Sequence, residues 1–197
     1  MTGYDDATAL LVVDVQNDFA DPAGSLYVRD GELVVPLANA EIARALEAAA
    51  TVVCTQDWHP EVTPHFLKDG GIWPTHCVQE TWGAELHPDL VAAGERIRKG
   101  AGGEDGYSAF GVRDPVSGEV RPTPLESLLR ERGVERVVVC GLATDYCVLE
   151  TVLDACRLGF GVTVLEDAIR AVDLGAGDGA RAIARMRDAG AELTSSR

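Results

Sequence analysis

The sequence of 197 residues predicts an α/β fold, a three-layer sandwich built on a mainly parallel, doubly wound sheet of roughly six strands. Two observations lead to this prediction. Short valine-rich apolar runs are typical of strands that are buried on both faces of a parallel sheet. Longer segments with helical spacing lie between these runs, and such alternation places helices on both sides of one sheet through right-handed crossovers. We therefore expect a single domain over residues 1–197.

The predicted elements follow one another regularly along the chain. Strong strands are expected at 7–13, 51–55, 134–142 and 162–165, and weaker ones at 95–99 and 191–195. Helices are expected at 33–50, 124–133, 144–159 and 178–190, and glycine closes several of them. The segment 60–88 is too long and too irregular for an ordinary connection, so we expect it to carry function.

Composition excludes several classes of partner. The chain has 17 basic and 32 acidic residues, a net charge of −15, which repels phosphate backbones and anionic lipid, so we expect neither nucleic acid nor membrane as a partner. No apolar run approaches the roughly 20 residues that span a bilayer, and residues 1–6 do not resemble a signal peptide. Five cysteines, an odd number, suit free thiols in a reducing compartment, so we expect a cytoplasmic protein. The sequence is compatible with a homo-oligomer.

A cluster of histidines indicates a metal site. His59, His65 and His76 fall within 18 residues of one another, close behind Asp57, and the chain has only four histidines. Imidazole nitrogens with one carboxylate suit Zn²⁺, Fe²⁺ or Mn²⁺ better than calcium or magnesium. We therefore expect one divalent metal ion on a loop insertion at about 58–90. The alternative is a set of ordinary surface or core histidines beside a coincidental aspartate.

Four predicted strands deliver a polar or reactive group to the same edge of the sheet. Asp14 ends the first strand, Asp57 the second and Lys99 the weak third, while the turn that contains Cys147 follows the strand at 134–142. Ligands of open parallel sheets bind beyond the carboxyl ends of the strands. These residues are therefore the candidate site.

Cys147 is the candidate nucleophile. It would lie in the first turn of its helix, where free N–H groups and the helix dipole favour a thiolate. Cys156 falls on an apolar helical stripe and is the structural cysteine of this helix. Since the clustered histidines are committed to metal, Asp14 could take the thiol proton and Lys99 could stabilise the thiolate. The alternatives are a buried filler cysteine and a purely structural Asp–Lys ion pair.

These motifs together resemble the nicotinamidase branch of the isochorismatase-like cysteine hydrolases, known also as pyrazinamidases. The resemblance covers essentially the whole chain. It depends on DVQNDF at 14–19, QDWHP at 56–60 with His65, WPTHC at 73–77, Lys99-Gly100, Tyr107-Ser108 and GLATDYCV at 141–148. Each motif alone is weak, but six in the same order are highly specific.

The resemblance implies a role for each matched residue. The catalytic triad of the family corresponds to Asp14, Lys99 and Cys147, its metal ligands to Asp57, His59, His65 and His76, and its aromatic pocket residues to Phe19, Trp73 and Tyr107. Backbone N–H groups of Ala143 and Cys147 would form the oxyanion hole, and a cis peptide bond is expected between Leu142 and Ala143.

The activity implied by the resemblance is hydrolysis of nicotinamide, and of pyrazinamide, to the acid and ammonia through a thioester. Nicotinamide is then the small-molecule substrate, NAD salvage the role, and the metal ion binds the pyridine nitrogen. Two alternatives stay open. One is a related isochorismatase-type hydrolase that acts on another small amide or ester. The other is a non-catalytic metal-binding or scaffold protein that retains the fold.

Overall fold

The computed structural model describes residues 3–196, which form eight strands and five α-helices. The strands are β1 Thr8–Val13, β2 Thr51–Asp57, β3 Glu95–Lys99, β4 Gly111–Arg113, β5 Val120–Pro122, β6 Arg136–Leu142, β7 Gly161–Arg170 and β8 Glu192–Thr194. The helices are α1 Asn17–Ala20, α2 Val34–Glu47, α3 Leu125–Glu131, α4 Leu149–Arg157 and α5 Asp178–Asp188. None of the helices in the described part of the chain is long and apolar enough to cross a bilayer.

Six strands form one sheet in the order β3-β2-β1-β6-β7-β8, and every neighbouring pair is parallel. The chain winds outward from β1 in one direction through β2 and β3, and then in the other direction through β6, β7 and β8. The predicted doubly wound parallel sheet is thereby confirmed. Its direction of winding changes between β1 and β6, which is where open α/β sheets bind ligands.

The sheet is covered on both faces, as its apolar strands require. In β1 every residue is buried, and alternate side chains enter different cores. Leu11 packs in the same core as residues of α3, α4 and α5, whereas Leu10 packs in the same core as Val35 and Ile42 of α2. These two cores and the sheet between them form the predicted three layers.

The structure departs from the sequence prediction in several places. Strand β7 continues to Arg170, because after an irregularity near Gly141 it pairs with the end of β6. The helix expected from residue 144 begins as one wide π-helical turn, Thr144–Val148, before α4. Strands β4 and β5 form a separate antiparallel hairpin that the sequence did not predict.

Gly141 is a position where only glycine fits. Its φ is 122°, and a Cβ atom there would lie 2.0 Å from the carbonyl oxygen of Val13. The neighbouring strands β1 and β6 therefore approach closely at their carboxyl ends. This close approach brings the residues that follow β1 and β6 together.

Candidate active site

The ends of β1, β2 and β6 bring two carboxylates and a thiol together. One side-chain oxygen of Asp14, one of Asp57 and the Sγ atom of Cys147 all lie within 4.8 Å of one another, and all three residues are buried. Asp14 has a φ of 48°, in the left-handed region, where the chain leaves β1. Backbone strain in a non-glycine residue at such a place is typical of functional sites.

Lys99 at the end of β3 neutralises part of this negative charge. Its Nζ atom lies 2.6 Å from Oδ2 of Asp14 and 3.1 Å from Oδ1 of Asp57, and it also donates to the carbonyl oxygen of Gly106 at 2.6 Å. Burial disfavours the charged amine, but the two carboxylates outweigh burial and hold the pKa of Lys99 well above its usual range. Lys99 is therefore a fully buried ammonium group shared by two acids.

The pKa of the Cys147 thiol is governed by its buried surroundings. Burial raises the pKa of Cys147, the Lys99 ammonium opposes the rise, and the neighbouring carboxylates add to it, so the pKa lies well above its ordinary value. Burial beside two acids therefore favours the thiol form, in which Cys147 holds the proton that Asp14 is expected to take. Burial also raises the pKa of Asp14, although Lys99 opposes this rise. A carboxyl of raised pKa beside a thiol is suited to proton exchange.

The three clustered histidines converge as predicted. One ring nitrogen from each of His59, His65 and His76 lies within 4.8 Å of the others. Nδ1 of His65 is 2.7 Å from Oδ1 of Asp105, and Nδ1 of His76 is 2.7 Å from the carbonyl oxygen of Pro74. Since these oxygens accept hydrogen bonds, both Nδ1 atoms donate, and each Nε2 keeps its lone pair in the neutral ring.

His59 and Asp57 supply the observation that tests whether a metal ion fits. Both ring nitrogens of His59 are buried without a hydrogen-bond partner among the described residues. Oδ2 of Asp57 lies 3.8 Å from Nε2 of His59, and Oδ1 faces Lys99 without hydrogen-bond geometry. Burial would raise the pKa of Asp57, but Lys99 and His59 together lower it well below its usual range. Orphaned imidazole nitrogens beside an ionised carboxylate fit a divalent metal ion.

An aromatic pocket opens beside the thiol and the histidines. The pocket is lined by Phe19, Leu26, Asp57, His65, Trp73, His76, Tyr107, Ala143, Tyr146, Cys147 and Val172. Nε1 of Trp73 donates to the hydroxyl of Tyr107 at 2.8 Å, and the Trp73 ring meets that of Tyr146 edge-on at 4.8 Å. All three aromatic residues expected in the pocket therefore lie in its wall. Aromatic walls of this kind suit one small, flat molecule.

The turn after β6 forms the edge of the pocket next to the thiol. The expected cis peptide bond between Leu142 and Ala143 is present. The carbonyl oxygen of Ala143 accepts hydrogen bonds from the N–H groups of Tyr146 and Val148, which fold the turn back on itself. Ala143 and Cys147 both line the pocket.

Several contacts that hold the site were not predicted. The Gln16 side chain bonds both the N–H and the carbonyl oxygen of Asp57, each at 2.8 Å. The Thr55 hydroxyl donates to Oδ1 of Asp14 at 2.5 Å and accepts from its N–H at 3.1 Å. Gln16 lies within the DVQNDF motif and Tyr146 within the GLATDYCV motif, and these motifs were the available signals. Thr55 gave no such signal, because its contacts arise from the neighbouring strand.

Comparison with known proteins identifies the class to which this fold and site belong. The isochorismatase domain profile matches residues 8–197, and the chain therefore belongs to the isochorismatase family. The resemblance stated from the sequence motifs is confirmed.

One curated relative and two solved structures show how similar the chain is to known proteins. The chain is 39% identical over 203 residues to a nicotinamidase of Escherichia coli, covering 94% of this chain and 93% of that protein. Among solved structures it is similar to PnC1 from L. infantum in complex with nicotinate, with a TM-score of 0.89, 38% identity and coverage of 99% and 96%. It is also similar to the pyrazinamidase of Pyrococcus horikoshii in complex with zinc, with a TM-score of 0.85, 40% identity and coverage of 96% and 99%.

Proposed function

We propose that this protein is a metal-dependent cysteine amidohydrolase that converts nicotinamide to nicotinate and ammonia, and that it also accepts pyrazinamide. The observation that carries the proposal is the position of the Cys147 thiol, beside the Asp14 carboxylate and in the wall of an aromatic pocket that also contains His65 and His76. The similarity to nicotinamidases supports the choice of substrate. The role that follows is NAD salvage in the cytoplasm.

The first step forms a carbon–sulfur bond. Asp14 takes the proton from the Cys147 thiol as the sulfur attacks the carboxamide carbon. Lys99 keeps Asp14 in place through its 2.6 Å contact, and its positive charge offsets the negative charge that develops on the sulfur of Cys147. The carbonyl oxygen becomes an oxyanion that accepts from the backbone N–H groups of Ala143 and Cys147, and each such donor is typically worth about 3 kcal/mol in the transition state.

The second step breaks the carbon–nitrogen bond. Asp14 returns its proton to the amide nitrogen, so the leaving group departs as ammonia and a thioester to Cys147 remains. Water then attacks the thioester carbon, with Asp14 accepting one proton from it. When the carbon–sulfur bond breaks, the sulfur regains that proton. The product leaves as nicotinic acid, which gives up the second proton of the water to solvent and becomes nicotinate. Asp14 thus takes up and returns a proton once in each half of the reaction. A carboxyl whose pKa is raised by burial is suited to this proton exchange.

Asp57, His59, His65 and His76 would hold the divalent metal ion. When bound, such an ion supplies a Lewis acid that can bind the pyridine nitrogen and so orient the ring. Zinc, ferrous iron and manganese all suit this donor set, and zinc accompanies the related pyrazinamidase structure. The walls formed by Phe19, Trp73 and Tyr107 would enclose the ring.

The test is ammonia release from nicotinamide by the metal-loaded protein, with Cys147→Ala as the variant. We expect turnover by the wild type, loss of turnover in Cys147→Ala and unchanged metal content. Cys156→Ala is the matched control, because Cys156 is half-buried on α4 and outside the pocket lining, so its turnover should match the wild type. Full turnover in Cys147→Ala would contradict the proposed mechanism. Ammonia release from another small amide, but none from nicotinamide, would overturn the choice of substrate.

A further inference from the structure

One partner distinguishes His65 from the other two clustered histidines. Its Nδ1 atom lies 2.7 Å from a carboxylate oxygen of Asp105, whereas Nδ1 of His76 contacts a backbone carbonyl and neither nitrogen of His59 has a hydrogen-bond partner among the described residues. The side chain of His65 is 4% exposed and that of Asp105 is 24% exposed. This hydrogen bond is therefore charge-assisted and largely shielded from water.

The contact fixes which ring nitrogen of His65 is free. An ionised carboxylate only accepts hydrogen bonds, so Nδ1 carries a proton and Nε2 holds the lone pair of the neutral ring. A negative charge on the far side of an imidazole also increases the basicity of the nitrogen that faces a metal ion. Asp105 thus controls the orientation and the donor strength of His65 together.

Asp105 is itself held by the β4–β5 hairpin. Its N–H donates to the carbonyl oxygen of Arg113 in β4 at 2.8 Å, and the Arg113 N–H donates back to the carbonyl oxygen of Asp105 at 2.9 Å. The next residue, Gly106, accepts from Nζ of Lys99 at 2.6 Å. The short segment at 105–106 therefore connects the hairpin, the histidine cluster and the buried ammonium.

We propose that Asp105 is a positioning residue of the metal site, whose carboxylate holds His65 so that Nε2 can bind a first-row divalent cation such as Zn²⁺. The inference rests on the proposed function in one respect, namely that it takes His65 to be a metal ligand. The β4–β5 hairpin, which the sequence did not predict, then has a role in the site, because it holds the Asp105 carboxylate next to the histidine cluster.

The test measures the Zn²⁺ dissociation constant of the metal-free full-length protein by competition with a chromophoric chelator. Loss of an outer-shell partner typically weakens metal binding by about 10–100-fold, and we expect this range for Asp105→Ala. Asp105→Asn keeps an acceptor oxygen but removes the charge, so it should lose less Zn²⁺ affinity than Asp105→Ala. The matched control is Asp114→Ala, because Asp114 caps the hairpin turn by accepting from the N–H groups of Val116 and Ser117.

A double variant separates positioning from a general effect on the fold. If Asp105 acts through His65, adding Asp105→Ala to His65→Ala should not weaken Zn²⁺ binding further. A further loss in the double variant would overturn the proposal, as would equal losses in Asp105→Ala and Asp114→Ala. A dissociation constant of Asp105→Ala within twofold of the wild type would also overturn it. A wild type that binds Zn²⁺ but does not hydrolyse nicotinamide would contradict the proposed function alone.

Discussion

Replacement of Lys99 by methionine should destabilise the metal-free protein strongly, because the substitution removes the buried ammonium while it keeps most of the length of the side chain. Two carboxylates, Asp14 and Asp57, would then remain in the interior without their cation, and the carbonyl oxygen of Gly106 would lose its 2.6 Å donor. Removal of one partner from a buried ion pair typically costs about 3–5 kcal/mol.

The lower part of that range is expected here. Burial already raises the pKa of Asp14, so this carboxyl can take up a proton when the ammonium is absent and so avoid an unpaired buried charge. We therefore expect Lys99→Met to lower the free energy of unfolding by about 3 kcal/mol. The assay is urea-induced unfolding of the metal-free protein, followed by circular dichroism.

Lys68→Met provides the matched control. Nζ of Lys68 lies 2.8 Å from a carboxylate oxygen of Asp69, but its side chain is 43% exposed, and exposed ion pairs of this kind contribute about 0–1 kcal/mol. The same chemical change should therefore have a small effect at position 68 and a large effect at position 99. Equal losses of stability in the two variants would refute the reasoning that the Lys99 ammonium stabilises the buried acids.

Two further predictions concern residues that support the site. Gly100→Ala should weaken Zn²⁺ binding, since a Cβ atom there would lie 2.7 Å from Cε1 of His59. Gly118→Ala is the control and should leave Zn²⁺ binding unchanged, because Gly118 has the same φ of 73° but no atom within 4 Å of its Cβ position. Equal effects of the two variants on the Zn²⁺ dissociation constant, measured by chelator competition, would contradict this prediction. Thr55→Val should lower the free energy of unfolding by about 2–3 kcal/mol, because Asp14 loses one donor to its carboxylate and one acceptor for its N–H. An unchanged midpoint of urea-induced unfolding would contradict this prediction.

The order of elements in the fold was predictable because the strands have distinct local patterns. Strand β3 lies at its expected bounds of 95–99, where buried Ile97 and Lys99 alternate with exposed residues. The continuous apolar run at 134–142 likewise contains β6, Arg136–Leu142. The hairpin β4–β5 was missed because its residues are half-buried or exposed and so leave no apolar period in the sequence.

The candidate site was predictable where strand ends determine it. Asp14, Asp57 and Lys99 converge because parallel strands end at the same edge of the sheet. The contacts of Asp105 and Thr55 were not predictable, because they depend on how loops and neighbouring strands pack. The rise in the pKa of Cys147 was not predictable for the same reason, since position on a helix is local, whereas burial beside two acids is a property of the folded site.

Acylation of Cys147 can be measured by intact-protein mass spectrometry of the metal-loaded enzyme, quenched in acid during turnover of nicotinamide. We expect a transient increase by the mass of one nicotinoyl group, located by peptide mapping on Cys147 and absent from Cys147→Ala. Ammonia release at the wild-type rate by Cys147→Ala, with no acyl adduct on the wild-type protein, would contradict it.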